Sequence, residues 1–396
     1  MSSKSGLPHW SADWPGSRQE PAPTHPKGPP RKNPLWPDLP DDLAAALAKF
    51  DAASVARAVD HAMIAAAREF ADGVDAYRRH PYSRAPEDTR IVWRAGGTAL
   101  IDHGTGDGGV PALFVPSLVN RGWVLDLVPG QGMLSWLATQ GVHPYRVEWG
   151  SPGDDERDFD IALYVSGRLE PALAEVARRS GRPPVLAGYC MGGLLALAAA
   201  IRQPDAIAGL ALLATPWDFH AENAARSAAI GTLYRASRPL FGILGEFPID
   251  AIQALFATHD PIVALRKFRR FAAFDPASVE ARNFVALEDW LNDGVPLTLP
   301  VADEAMLGWY ETNLPGQGQW LVGGALMDPA VVKAPSLVVV PGGDRLVPPA
   351  SAAAVLPRLT QATRLDIPLG HIGMVVGRQA ERSLWAPLAE WIRENS

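Results

Sequence analysis

The 396-residue sequence holds a single cysteine, in Gly188-Tyr189-Cys190-Met191-Gly192-Gly193, directly after the apolar run Val185-Leu186-Ala187 and before the helix-forming stretch Leu194 to Ile201. The spacing is that of a Gly-x-nucleophile-x-Gly turn with sulfur in place of the serine oxygen. A nucleophile on a tight strand-to-helix turn takes up a strained backbone, and flanking glycines remove the side chains that would collide there. A helix starting at the thiol points unpaired amides and its positive dipole end at the sulfur, which favours a negative charge on it. The amide of Met191 is then placed to receive a developing oxyanion. A solitary cysteine is more often a small buried hydrophobe. With 36 glycines in the chain, however, both flanking positions would be glycine by chance only about once in a hundred cases.

A nucleophile of this kind needs an acid and then a histidine, in that chain order. Ser336-Leu337-Val338-Val339-Val340 reads as a fully apolar strand, and Pro341-Gly342-Gly343-Asp344 follows it, putting a carboxylate just past the strand's carboxyl end, where ligands and catalytic groups gather in open parallel sheets. Asp344 is the expected acid. Leu365-Asp366-Ile367-Pro368 is a further short strand, and Leu369-Gly370-His371-Ile372-Gly373 sets an imidazole on the next loop. His371 is the expected general base, although many loop histidines only satisfy local polar groups. A second oxyanion donor should come from Pro116-Ser117-Leu118-Val119-Asn120-Arg121, with Val119 favoured and Leu118 next. Arg121 fits either a substrate anion or a surface acid.

The remaining candidates are weaker. His80, His103 and His143 lie near turns or early strands, and His220 and His259 fall in a later helical segment, with no spacing that suits a metal. Asp154-Asp155-Glu156 with Asp158 and Asp160 lacks the glycine and terminal glutamate of a calcium loop and reads as a solvated acidic loop. Gly104-Thr105-Gly106-Asp107-Gly108-Gly109 lacks the Lys-Ser/Thr of a phosphate loop and reads as a hairpin turn.

These groups must be positioned by a scaffold, and the chain supplies one. After Pro86, short apolar runs separated by Gly and Pro recur: TRIVWRAG, TALIDHG, PALFVPSL, HPYRVEW, PPVLAGY, GLALLAT, SLVVVPG and TRLDIPLG, most of them separated by helical stretches. Strands alternating with helices predict a parallel sheet covered on both faces, with the first two runs as an opening hairpin. The alternation lapses between about 217 and 333, a segment of helices and loops that predicts an inserted cap. Residues 41 to 85 are Ala-rich, with Leu43, Leu47, Phe50, Val55, Val59 and Met63 at helical spacing, and predict one or two N-terminal helices packed on the main domain. Residues 1 to 40 are rich in Pro and polar groups and predict a disordered lead-in. Pro183 to Ile201 is uncharged and nearly long enough to cross a bilayer, but its Pro and Gly residues divide it into strand, turn and helix.

Composition is that of an ordinary globular chain, with 47% hydrophobic and 20% charged residues, and excludes a disordered, collagen-like or disulfide-stapled protein. A net charge of −7 without a basic run argues against nucleic acid as partner. One cysteine excludes an internal disulfide or Cys-rich zinc site and suits a reducing compartment. Met1 to Trp10 shows no apolar stretch after a basic one, so a cytoplasmic location is expected. No cofactor and no metal are expected.

From about Ala112 to Trp391 the chain resembles the polyhydroxyalkanoate synthases, cysteine-dependent relatives of the α/β-hydrolases, and the shorter class III catalytic subunit in particular. The resemblance is carried by Val119-Asn120-Arg121 with Leu125-Asp126-Leu127, Glu148-Trp149-Gly150, the Cys190 box, Thr215-Pro216-Trp217-Asp218-Phe219, Asp344-Arg345-Leu346-Val347-Pro348-Pro349 and Gly370-His371-Ile372-Gly373. It implies an α/β-hydrolase fold, a doubly wound and mostly parallel sheet with inserted helical cap and N-terminal helical extension, spanning 86 to 396. It further implies that hydroxyacyl-CoA is the substrate, that Cys190 carries the growing polyester, that His371 deprotonates it and that Asp344 helps activate the next hydroxyl. A second synthase subunit, a homo-oligomer and residence at a polyester granule are implied as well. Arg345 stands where the family motif has His. Two other readings share these residues: a hydrolase acting on a thioester, ester or polymer through the same triad, and a non-catalytic granule or scaffold protein that has kept the fold.

Overall fold

The computed structural model describes residues 46, 49–86, 90–106, 108–257 and 262–396; the lead-in 1–40, Leu43, Leu47 and His259 lie outside these. The described residues divide into two compact units, one holding residues 46 and 49–80 together with 264–274, the other the described residues of 81–263 and 275–396.

In the first unit a long helix, α1 (Ala52–Arg79), starts where the Asp51 carboxylate accepts from the Ser54 amide at 2.9 Å, satisfying one of the unpaired donors of a first turn. Phe268 meets Phe70 and Tyr77 edge-on at centroid distances of 5.8 and 5.9 Å, and Glu69 pairs with Arg269 at 2.6 Å. Phe50, Val59 and Met63, which the helical spacing marked for packing, are exposed. Short helical spacing alone does not say whether a stripe finds a partner.

The second unit is built on an eight-stranded sheet. The opening hairpin is β1 (Ile91–Ala95) and β2 (Thr98–Asp102); then come β3 (Val110–Val115), β4 (Val142–Glu148), β5 (Val185–Tyr189) and β6 (Gly209–Leu213). A two-residue pair, β7 (Leu321–Val322) and β8 (Ala325–Leu326), stands apart, and β9 (Ser336–Pro341) and β10 (Ala362–Ile367) complete the sheet in the order β1-β2-β4-β3-β5-β6-β9-β10. Neighbours from β4 to β10 run parallel, and β2 meets β4 antiparallel. Strands covered on both faces read as continuous apolar runs. Thus Leu113 and Val115 enter one core while Ala112 and Phe114 enter the other. Helices α2 (Met133–Thr139), α3 (Glu170–Ser180) and α4 (Met191–Arg202) flank the sheet. The stretch Pro183 to Ile201 is thereby the buried strand β5, a turn and the buried helix α4, and no helix among the described residues is long and apolar enough to cross a membrane.

Two local expectations are corrected. The Gly104–Gly109 segment is not a hairpin turn, because β4 lies between β2 and β3 in the sheet and the loop crosses it. In the acidic loop Glu156 is 2% exposed; its Oε1 accepts from Arg168 at 2.7 Å and the loop amides of Gly97 and Gly153 point to the same carboxylate. A buried carboxylate so paired is a structural anchor. Between β6 and β9 lie α5 (Ala224–Leu244), α6 (Ile249–Ala257), α7 (Val263–Phe271) and α8 (Val279–Asn292), and residues 264–274 group with the first unit.

Candidate active site

Cys190 occupies the bend between β5 and α4 with φ 55° and ψ −130°. A non-glycine residue in this region is strained. Neighbours hold it there: the Cys190 amide donates to the Leu213 carbonyl at 2.9 Å, and the Gly193 amide donates to the Cys190 carbonyl at 2.9 Å. The glycines of the turn are required for space. A Cβ on Gly192 would strike the carbonyl oxygen of Val115, one on Gly193 the Thr215 hydroxyl, and one on Gly188 the backbone of Gly193.

The loops after β9 and β10 bring the other two groups to this bend. Gly342 and Gly343 amides donate to the carbonyls of Ile367 and Leu369 at 2.8 and 2.9 Å, tying the two loops together. Asp344 is buried, and its two oxygens are divided between tasks. Oδ1 accepts from the amides of Leu346 and Val347 at 2.8 and 2.9 Å, while Oδ2 is 2.6 Å from His371 Nδ1. An acid held this way fixes the tautomer and the orientation of the imidazole, leaving Nε2 for the reacting centre. Cys190 is a close enough neighbour of that imidazole for its charge to act on it. Burial works against a charge on His371. The neighbouring Cys190, the hydrogen bonds to Asp344 and Cys190, and the Asp344 charge outweigh it and push the imidazole up to about 10. These contacts favour the protonated imidazole.

Ser117, Val119, Cys190 and Met191 form the floor of a cavity of about 1200 Å³, its open mouth included. Val119 is fixed by the Val295 amide, which donates to its carbonyl at 3.1 Å, and Trp149 Nε1 donates to the Pro116 carbonyl at 2.9 Å. Leu118 turns into the core at 3% exposure, so of the two residues considered for a second oxyanion donor it is Val119 that lines the cavity. Arg121 reaches Asp293 at 3.5 Å and Ser151 at 3.2 Å, both protein partners. The inserted segment supplies an apolar roof that includes Ile230, Leu297, Met306, Trp309 and Tyr310. Burial, then the charge of Cys190, pushes the Tyr310 hydroxyl up to about 12. Among the described residues no group of His, Cys, Asp and Glu is arranged to hold a metal ion. Residue reading did not single out Tyr189, whose ring stacks on His371, or the roof residues; both depend on chain segments far apart in sequence.

Residues 172–377 match the α/β-hydrolase fold family. The chain belongs to that family. The resemblance read from the motifs is matched by relatives named as poly(3-hydroxyalkanoate) polymerase subunit PhaC. Those from Haloferax mediterranei and Synechocystis sp. are each 27% identical, over 293 and 294 residues, and that from Allochromatium vinosum is 25% identical over 290. Each alignment takes in 72% of this chain; it covers 59% of the Haloferax relative, 78% of the Synechocystis one and 81% of the Allochromatium one. The chain therefore spans about three fifths to four fifths of these relatives. Among solved structures, a thioesterase domain from the curacin biosynthetic pathway overlays 76% of this chain and 97% of its own at 17% identity, with a TM-score of 0.46.

Proposed function

We propose that this α/β-hydrolase family member is an acyltransferase that joins hydroxyacyl-CoA thioesters into a polyhydroxyalkanoate through a thioester on Cys190. The observation that carries the reading is a sulfur nucleophile at the elbow, beside an imidazole held by Asp344 and beneath an apolar roof. The relatives named as polymerases support it.

The Cys190 thiolate attacks the acyl carbonyl of the CoA thioester, and the charge forming on oxygen is met by the amides of Met191 and Val119. The carbon–sulfur bond to CoA breaks, and the departing thiolate takes the proton of the His371 imidazolium. The hydroxyl of a second hydroxyacyl-CoA then attacks the Cys190 thioester. Its proton passes to His371, the new ester bond forms, and the Cys190 thiolate is released. In this scheme Asp344 acts on the hydroxyl through His371, since its Oδ2 faces the imidazole. The roof keeps water from taking the place of the hydroxyl.

Hydrolysis is the second reading, because water at the same position completes the same cycle with the same three residues. Incubation with 3-hydroxybutyryl-CoA, following thiol release and recovered product together, separates the two: polyester is expected, and free hydroxy acid without oligomer would defeat the synthase reading. A Cys190→Ser chain that releases CoA at the unchanged rate would defeat both. Hydroxyacyl-CoA and the growing polyester are the bound molecules on this reading, with a second synthase subunit, self-association and residence at the polyester surface as its extensions. Sedimentation of the chain, alone and with isolated granules, checks the last two.

A further inference from the structure

We propose that Tyr189, the residue preceding the nucleophile, is a positioning residue that clamps the His371 imidazole over Cys190. The inference rests on the reading of His371 as the base. Two independent contacts carry it. The Tyr189 and His371 rings stack with centroids 5.1 Å apart and planes 28° apart, and the Tyr189 hydroxyl donates to the His371 main-chain carbonyl at 3.1 Å. One contact fixes the plane of the ring, the other the height of the backbone that bears it.

The clamp is needed because of where His371 sits. It lies on a loop after β10, the last strand of the sheet, between Gly370 and Gly373, while the nucleophile belongs to the central β5. Asp344 holds only Nδ1, around which the ring can still pivot. Tyr189 ends β5, pairs with Leu213 of β6, and is 4% exposed. Clamp and nucleophile are thus consecutive residues on one rigid strand end. Burial first, then the charges of Cys190 and Asp344, raises the Tyr189 hydroxyl well above its ordinary range, so it remains a donor. Its ring face also suits a cation, and an imidazolium at this distance falls within the range of that attraction.

The test reads two quantities on Tyr189→Phe and Tyr189→Leu: the pH profile of Cys190 alkylation by iodoacetamide, and CoA release from 3-hydroxybutyryl-CoA. Phe keeps the stack and loses the hydroxyl, and about a 3- to 10-fold fall in CoA release with a nearly unchanged alkylation profile is expected. Leu loses both contacts; a fall of about 100-fold and an alkylation profile displaced to higher pH are expected, with the folded fraction by circular dichroism held equal. Should Leu fold poorly, the His371 imidazole resonance in Tyr189→Phe stands in for it, and a displaced resonance supports the clamp. Unchanged alkylation profiles in both variants, with CoA release falling only as folded protein falls, would overturn the proposal. If the wild-type chain releases no CoA while the Leu profile still moves, the clamp stands and the synthase reading falls.

Discussion

The Cys190 backbone at φ 55° lies in a region that costs a non-glycine residue about 1–3 kcal/mol, and the bonds to Leu213 and Gly193 hold it there. The charge state of His371 follows from what stands beside that bend. Its protonated form is bound more tightly in the folded chain than in the unfolded one, so its contribution to stability is complete below pH about 6.5 and is lost as pH rises through about 10. In Cys190→Ala the largest of the raising influences disappears while burial still opposes the charge; the imidazole titration followed by NMR is expected to move to lower pH, and an unmoved titration would deny that Cys190 holds the imidazole protonated. Asp344→Asn keeps the loop amides satisfied but deprives Nδ1 of its charged partner, and CoA release should fall about 10²- to 10⁴-fold. Cys190, Asp344 and His371 were legible in the sequence because each carries a local signature, a glycine-flanked turn or a loop after an apolar run. Tyr189 was not, since its partner lies 182 residues away.

At the scale of elements, all eight apolar runs became strands of the one sheet; the inner ones leave a continuous signal because they are buried on both faces, while the edge strands β1 and β10 are only partly covered. Pairing left none: Gly104–Gly109 looked like a turn between partners, yet β4 separates β2 from β3. Glu156 likewise sits among solvated acids in sequence and only its Arg168 partner shows that it is buried. The elbow is expected to tolerate no added carbon; Gly192→Ala, directed at the Val115 and Pro116 carbonyls, should cost about 1–3 kcal/mol in urea unfolding. A second carboxylate in the inserted segment gives a pH signature. Burial pushes Glu304 up to about 7, the hydrogen bond from Trp320 at 2.6 Å opposes this, and Asp160 adds to it. With its folded value raised, the stability linked to Glu304 is present below pH about 4.5 and is lost as pH rises through about 7. Glu304→Gln keeps an acceptor for Trp320 and removes that loss, so its Tm should exceed wild type at pH 8 and match it near pH 4.5.

For the molecule as a whole, sequence reading placed a boundary near 85 and an insertion at about 217–333; residues 264–274, within that stretch, group by their contacts with α1. Helical spacing in α1 announced an amphipathic helix but not its partner: the apolar residues that engage are Phe70 and Tyr77, with Phe268 between them, while Val59 and Met63 face solvent. Phe268→Ala is therefore expected to raise amide hydrogen exchange in α1 by at least about tenfold while leaving Cys190 alkylation unchanged, because a ring truncation of this kind costs about 3 kcal/mol or more. Slow exchange retained in α1 would show that another contact secures it.

The bond from the Cys190 amide to the Leu213 carbonyl makes the backbone that bears the sulfur a continuation of the sheet ladder. On the acyltransferase reading, changes in the size of acyl group accepted belong in the helices overhead, such as at Ile230, Met306 or Trp309, which gives directed evolution a small alphabet of positions apart from the elbow.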